Sequence, residues 1–556
     1  MALLKTIVGG VLLLTLTSAL HTAYGLLRNY RTARKIGVPT RIILFDHVNP
    51  LWLVCDRAVL SFVKRLPFGL GDNSFTRYNF RGWEVPDRYY SHRDMGDAYI
   101  LVSSKNIWLY VADPDTITDI WRRASEFPRD VSVTAILNIF GPNISTTQGQ
   151  QWQKHRRVTA SSFNDQNNAL VWAESITVAH DMLRYWSTKP SLTTAADDLR
   201  TLSLHVMSRA GFGKSFKFQG HDERETLAEE DLSLSYKDSL KLILENCVII
   251  FALGTNFLSI PYLPKKLRQL HKACTSFQNY MTQLYEEEKL LAAQGQSADR
   301  NFMTSLVRAS QSSSFSGLTE SEIYGNIFTF NFAGHDTTAH TFTFAIYFLS
   351  ANPDVQDWLH EEINHVLGHR QPEEWQVLSD FPRLKRCLAV LYETLRLYTP
   401  VPTSKFVDSN VPLSIKVNNE TLILPPKTMV VPSYASLQTD PKYWGDNSLE
   451  WKPSRFIKGA GLDSEQFMLP ERGIFLPWSG GPRDCIGRKF SQVEFVAVMA
   501  SLFRQWRVDP VLAAGETAEV AHKRILNVIE MDSAPVLLLQ MLHPERVPLT
   551  WSRRQS

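Results

Sequence analysis

The sequence predicts a mainly helical body with small β-sheets, preceded by one N-terminal transmembrane helix. Three observations predict it. Thr6 to Leu27 is a run of 22 residues without a charge, and at about 1.5 Å per residue such a run crosses a hydrocarbon layer of about 30 Å. Helical patterns dominate as far as Tyr398, and strand signals gather after it. The composition, 44% hydrophobic and 21% charged over 556 residues, is that of a globular chain and excludes disorder and collagen.

The N-terminus comes first. Residues 1–27 form the expected anchor, 28–45 a basic linker with Gly37-Val38-Pro39 as hinge, and 46–556 the body. Lys5 stands alone before the span, whereas Arg28, Arg31, Arg34 and Lys35 follow it with no acid before Asp46. The positive-inside rule then places the body in the cytosol and the N-terminus on the far side of a single-pass membrane. A cleaved signal peptide is the alternative, but the run is long for one and no small-x-small site follows it. The glycosylation triplets Asn143-Ile144-Ser145 and Asn419-Glu420-Thr421 would go unused. A net charge of +3 gives no footprint for nucleic acid. Five scattered cysteines exclude a disulfide framework and a four-cysteine zinc site.

Within the body, Ala169 to Trp186 and Lys265 to Gln294 read as amphipathic helices. Thr319 and Glu322 form a capping box. From there a proline-free helical stretch runs to Ala351, where Asn352-Pro353 closes it and opens the next helix. Pro382 to Tyr398 reads as a helix stopped by Pro400. Leu413 to Val417 and Thr421 to Leu424 read as a hairpin around Asn418-Asn419-Glu420, and Val536 to Gln540 as a last strand.

The chemistry concentrates at Trp478-Ser479-Gly480-Gly481-Pro482-Arg483-Asp484-Cys485-Ile486-Gly487, after which Arg488 to Phe503 resumes as a helix. Glycines let backbone approach a flat ligand and adopt positive φ. A cysteine just before a helix N-terminus is favoured as thiolate, and Arg483 offers a fixed cation for a carboxylate. That set fits a haem-iron ligand. On the residues alone, a nucleophile and a packed core cysteine stay open, and composition favours the core cysteine.

The same segment resembles the haem-binding signature of the cytochrome P450 monooxygenases, with Trp478 where that family usually has Phe. Other pieces are similar and fall in the same order. Trp152 and Arg156 match Trp-x-x-x-Arg, Ala333-Gly334-His335-Asp336-Thr337-Thr338 matches the acid–alcohol motif, Glu393-Thr394-Leu395-Arg396 matches Glu-x-x-Arg, and Pro453-Ser454-Arg455-Phe456 matches Pro-x-Arg-Phe. The wording is most like fungal microsomal members, and the resemblance covers about Asp46 to Arg546. Placement in the endoplasmic reticulum membrane, with the N-terminus luminal, is what the resemblance to microsomal proteins implies.

The resemblance implies the cytochrome P450 fold and haem b with Cys485 as axial iron ligand. Trp478 would cover the sulfur side, and Gly481 and Gly487 would bind the haem where the loop approaches it. Arg483, Trp152 and Arg156 would bind the cofactor, the last two at a propionate. Where many relatives place an arginine for the other propionate, the nearest cation is Lys405, and that contact is left open. Asp336 and Thr337 would deliver protons in oxygen activation; His335 fills a variable position. Glu393, Arg396 and Arg455 would form a structural triad; their bland reading is a solvated ion pair worth about 0–1 kcal/mol.

The implied activity is hydroxylation or epoxidation of a hydrophobic small molecule by O2, in secondary-metabolite biosynthesis. Electrons would come from NADPH through a separate NADPH–cytochrome P450 reductase, with cytochrome b5 as a second donor and membrane lipid as surroundings. Lys154, Arg156, Arg157, Arg488 and Lys489 would offer an acidic donor a docking surface. Ile136, Phe140, Phe328, Phe332 and Val401 are candidate pocket walls, with core packing as the competing reading. The competing functions are a haem-thiolate isomerase, dehydratase or peroxygenase, a lipid or xenobiotic hydroxylase, a membrane haem binder without activity, and a haem-free cysteine transferase.

Overall fold

Strands of β-branched and aromatic residues, Ala98–Val102 and Ile107–Val111, pair antiparallel with Tyr99 opposite Tyr110. Both are buried on both faces, and the period of two sorts their side chains into two cores. Ile100, Val102, Leu109 and Val111 enter one core; Tyr99, Leu101, Trp108 and Tyr110 enter the other. Thr40–Ile42 adds parallel to the first strand, and Met429–Pro432 and then Lys405–Phe406 complete a five-stranded sheet.

The computed structural model describes residues 2–47, 49–220, 235–295, 301–311, 317–401 and 403–555. Pro402, in the Pro400-Val401-Pro402 stretch, lies outside them. The chain divides into two units. The first comprises Met1–Asp130, Pro402–Leu449 and Glu471–Asp484; the second comprises Val131–Val401, Glu450–Pro470 and Cys485–Ser556. The five-stranded sheet and the hairpin Leu413–Val417/Glu420–Leu424 belong to the first unit. Asn418 and Asn419 turn that hairpin with φ of 48° and 69°, as a two-residue turn between right-twisted strands demands.

The expected membrane span is overturned. Ala2–Arg34 is one helix of 33 residues, yet among the described residues no helix is long and apolar enough to cross a membrane. Thr15, Thr17, Ser18, His21, Thr22 and Tyr24 dilute the apolar run. The end of the helix is committed to its own unit: Ala33 is buried, and Asn29 donates to the carbonyls of Ser103 (3.1 Å) and Ser104 (3.2 Å). A β-carbon at Gly25 would stand 2.5 Å from the Ser104 carbonyl oxygen. The transmembrane anchor, the single-pass placement in the endoplasmic reticulum membrane and the luminal N-terminus are withdrawn with the span. Arg28, Arg31 and Arg34 lie inside the helix, and Thr40–Ile42 is a strand of the main sheet.

The second unit is mostly helical. The expected helices form as Asp165–Trp186, Lys265–Ala293, Glu320–Ala351, Pro353–Leu367 and Arg488–Phe503. The capping box is present: Glu322 accepts the Thr319 N–H at 2.8 Å, and the Thr319 side chain accepts the Glu322 N–H at 3.3 Å. Asn352 does not cap the following helix with its side chain; that amide folds back on the Phe348 carbonyl at 2.7 Å. Pro382 sits in a 3₁₀ turn, Phe381–Arg383, and the α-helix starts at Lys385 and runs to Leu397. The last predicted strand shifts: Leu539–Met541 pairs with Ser533–Pro535. The fold class that stands is mainly α with small sheets.

Candidate active site

The cysteine loop is shaped by an indole. A β-carbon at Gly480 would stand 2.3 Å from the Trp121 ring, and one at Gly481 2.9 Å from the Trp121 carbonyl oxygen. Gly481 also takes φ of 71°, which side chains with a β-carbon rarely adopt. These two glycines answer to Trp121 within the first unit. Trp478 is half-buried and meets Phe475 edge-on at 6.2 Å. At Gly487 the backbone has φ of −83°, and an added β-carbon would make ordinary contacts at 3.8 Å with Cys485 Sγ and Phe163. Cys485 is exposed, whereas Cys247, Cys274 and Cys387 are buried. Burial pushes Cys274 up to about 12 and holds Cys387 well above the usual thiol range. Cys485 is therefore not a packed core cysteine. Among the described residues no cluster of His, Cys, Asp and Glu could hold a bare metal ion. A metal held through one exposed cysteine needs its other ligands from a carrier, and a macrocycle supplies them.

The first unit also assembles cations. Arg129 and Lys405 face each other across an isolated antiparallel bridge. Burial, then repulsion from Arg129 and Arg483, pulls Lys405 down to about 8. Burial, then repulsion from Arg129, pulls Arg483 down to about 10. Three cations gathered in one place favour an anion beside them, and a guanidinium is suited to a carboxylate. Lys405, the cation nearest in sequence to the second propionate contact left open, belongs to this group. Arg129 was not singled out in the sequence, since Pro128-Arg129-Asp130 reads as an ordinary loop and only the pairing with Lys405 reveals it.

In the second unit, Trp152 and Arg156 lie half-buried one turn apart on the helix Gly149–Ala160. The buried face of that helix belongs to His155 and Thr159. His155 meets the Asn326 amide at 2.7 Å, and Lys154 pairs with Glu322 at 2.9 Å. Lys154 is spent on the start of the long helix and so leaves the expected docking surface.

Between Glu322 and Ala351 the long helix is buried at every position except Ala333, Gly334 and Thr337. These three make one accessible stripe in the middle of the expected motif. Gly334 is small for packing, because a β-carbon there would stand 2.6 Å from Met207 Sδ. Thr337 donates to the Ala333 carbonyl at 2.8 Å and Thr338 to the Gly334 carbonyl at 3.2 Å. Asp336 turns the other way. It is buried, with its Oδ1 3.3 Å from Arg200 Nε and 3.5 Å from His340 Nε2. Burial alone would raise its carboxyl; attraction to His340, Arg200 and His335 outweighs that and holds it below the usual carboxylate range. Burial also keeps His340 below its ordinary value, so Arg200 is the standing charge that holds Asp336 ionised. His335 points inward, with Nδ1 on the Asn331 carbonyl. Acid and alcohol are neighbours in sequence, so their side chains leave the helix about 100° apart, the alcohol on the accessible stripe and the acid in the interior. Arg200 and His340 had no sequence signal that linked them to Asp336, beyond the i, i+4 spacing of His340.

Glu393, Arg396 and Arg455 come together. Glu393 accepts from Arg396 Nε (2.7 Å) and Nη2 (2.8 Å), from Arg455 Nε (2.8 Å) and from the Lys452 N–H (2.7 Å). The Glu393 and Arg396 side chains are 0% exposed and Arg455 11%, so this is no solvated ion pair. Of the candidate pocket walls, Phe328 is fully buried, with ring centroids 5.1 Å from Phe140 and 6.1 Å from Phe277. It is core.

The chain matches a family model described as "Cytochrome P450" over residues 86–521. It is 30% identical to the phomenoic acid biosynthesis cluster cytochrome P450 monooxygenase of Leptosphaeria maculans, over 91% of this chain and 92% of that protein. It is 28% identical to a cytochrome P450 monooxygenase of Arthrobotrys oligospora, over 95% of each chain. It is 24% identical to the 7-deoxyloganic acid hydroxylase of Catharanthus roseus, over 72% of this chain and 74% of that one. With the exposed cysteine, the cation cluster and the buried triad in place, the chain belongs to the cytochrome P450 family and is a haem b monooxygenase that draws on NADPH through a reductase partner.

Proposed function

We propose that the protein hydroxylates or epoxidises a hydrophobic small molecule in a secondary-metabolite pathway. The observation that carries this reading is the accessible stripe Ala333, Gly334 and Thr337 within an otherwise buried helix, with ionised Asp336 directly behind it. The relative from the phomenoic acid cluster supports the pathway class. Cys485 would hold the haem iron, and Arg129, Lys405 and Arg483 would bind its carboxylates, with Trp152 and Arg156 adding a further contact. Trp478 would cover the sulfur. When bound, the haem supplies the activation of O2 for oxygen insertion.

The chain's own residues control protons and water. Thr337 turns its hydroxyl oxygen to the accessible side and would hold a water there. Asp336, charged and buried, would take a proton from the interior and hand it on. Exposed Arg157, Arg488 and Lys489 would meet the acidic face of a separate NADPH–cytochrome P450 reductase, with cytochrome b5 as a second donor. The first test is the reduced, carbon monoxide-treated protein. The wild type shows the red-shifted absorption of thiolate coordination and Cys485→Ser loses it; equal spectra would refute the assignment. Deleting the gene and profiling metabolites then identifies the substrate as a precursor that accumulates one oxygen atom short of the lost product. Thr337→Ala is expected to divert NADPH from product to peroxide, and unchanged coupling would remove Thr337 from the proton path.

A further inference from the structure

Asp336 is buried, 7% exposed. A buried carboxylate that gives up a proton needs a neighbour to replace it. Three groups act on it: His340, Arg200 and His335. Arg200 cannot release a proton near neutral pH. His335 has its Nδ1 committed to the Asn331 carbonyl, which fixes one tautomer. His340 is left, one helical turn beyond Asp336 and 5% exposed.

The geometry at His340 is two-sided at a single atom. Its Nε2 lies 3.5 Å from Asp336 Oδ1 and 3.3 Å from Arg200 Nη2. A protonated Nε2 can donate to the carboxylate but then faces the guanidinium with nothing to offer. A bare Nε2 accepts from Arg200 but has no proton for Asp336. Each neutral tautomer therefore has one good partner, and both partners are already in place. Arg200 is itself fixed: Nη2 also donates to Gln540 Oε1 at 2.9 Å, and Nε faces Asp336 at 3.3 Å.

We propose that His340 relays protons to Asp336 by exchanging its two ring tautomers, with Arg200 as the positioning residue for both. The inference rests on Asp336 as the acid of oxygen activation. In the step, Nε2–H breaks and a proton forms O–H at Asp336 Oδ1, while Nδ1 takes a proton from a hydronium ion, which leaves as neutral water. The ring stays neutral and Asp336 becomes the neutral acid. The bared Nε2 then accepts from Arg200, and a flip of the ring resets the relay. Attraction to His340 and Arg200 keeps the proton affinity of Asp336 low, so a proton that arrives is passed on.

The test uses the full haem-loaded protein with reductase, NADPH and O2, without added substrate, and reads NADPH consumption and peroxide release in mixtures of H2O and D2O. In the wild type the rate is expected to fall along a curve as deuterium rises, because more than one proton moves. His340→Gln, which keeps a donor to Asp336 but cannot relay, is expected to lower NADPH consumption about tenfold at pH 7.5, with recovery towards pH 6. If His340→Gln matches the wild type in rate, isotope curve and pH profile while Asp336→Asn alters them, the relay is refuted and the acid assignment survives. If neither variant differs from the wild type, the acid assignment itself has failed. A readout independent of turnover is the ¹⁵N spectrum of labelled histidine in the diamagnetic ferrous–carbon monoxide form. Both tautomers of the ring lost in His340→Gln are expected, shifting towards Nε2–H in Arg200→Gln. A single tautomer that ignores Arg200→Gln overturns the proposal even where His340→Gln fails to fold.

Discussion

Replacing Glu393 by glutamine tests the buried triad with the least change of shape. Four N–H groups converge on this carboxylate, two of them from Arg396, whose side chain is 0% exposed. The amide removes the negative charge and turns an NH2 group towards donors, which leaves a buried guanidinium without its counter-charge. Breaking one side of such a pair costs about 3–5 kcal/mol. That is a loss of roughly two to three and a half powers of ten in the folding equilibrium, against a typical total of about 5–15 kcal/mol. Arg455 is the least buried member, so Arg455→Met is expected to cost less, about 1–2 kcal/mol. Urea unfolding followed by tryptophan fluorescence gives the difference, and the yield of the carbon monoxide complex gives the folded fraction. Replacing Glu393, Arg396 and Arg455 together by apolar residues of similar size should recover most of the loss, because no charge is then left stranded. A Glu393→Gln protein within about 0.5 kcal/mol of the parent would refute the reasoning that the charges, and not the shapes, hold this corner.

Three further predictions concern other buried groups. Glu494 is fully buried with no charged partner among the described residues, and burial, only partly offset by Ser203, holds its carboxyl well above its ordinary 4.5. Above pH 4.5 the unfolded chain loses a proton that the folded one keeps, so this group lowers stability by about 1.4 kcal/mol per pH unit until its folded pKa is reached; Glu494→Gln should gain on the parent more at pH 8 than at pH 5 in urea midpoints. Lys405 is drawn from 10.5 to about 8, which costs the haem-depleted protein about 3 kcal/mol below pH 8 and fades as pH rises towards 10.5. Lys405→Met should therefore raise the melting temperature of haem-depleted protein at pH 7 and speed haem transfer to a scavenging apoglobin about tenfold. Phe328→Ala should cost about 3–5 kcal/mol in thermal unfolding and leave the product pattern unchanged, since the ring is core and not pocket wall.

What the sequence made legible was what is local. The capping box at Thr319, the proline after Asn352 and the asparagine pair at 418–419 act within a few residues, and the elements they bound lie where expected. The Glu393 triad was legible because its two motifs were recognised together. The N-terminal span failed because an uncharged run is not an apolar one: the hydroxyls and the histidine between Thr15 and Thr22 carry no charge and still weaken the case. The glycines at 480 and 481 also make room for Trp121, a residue far away in sequence, which the loop's own spacing does not reveal. Arg129, Arg200 and His340 gain their meaning from partners on other elements, which no spacing rule reaches.

The hydroxyl of Thr337 has one hydrogen, and the Ala333 carbonyl holds it at 2.8 Å. What remains for the accessible side is a pair of acceptor lobes. A compound carrying an alcohol or an amine at that depth would gain a bond on entry, and a ketone or an ether would gain none unless the side chain rotated and surrendered about 1 kcal/mol. At roughly a factor of five in affinity, the helix would sort otherwise similar compounds by the polarity of a single functional group. Successive oxidations of one carbon would then loosen their own product: the alcohol is held, the carbonyl is released.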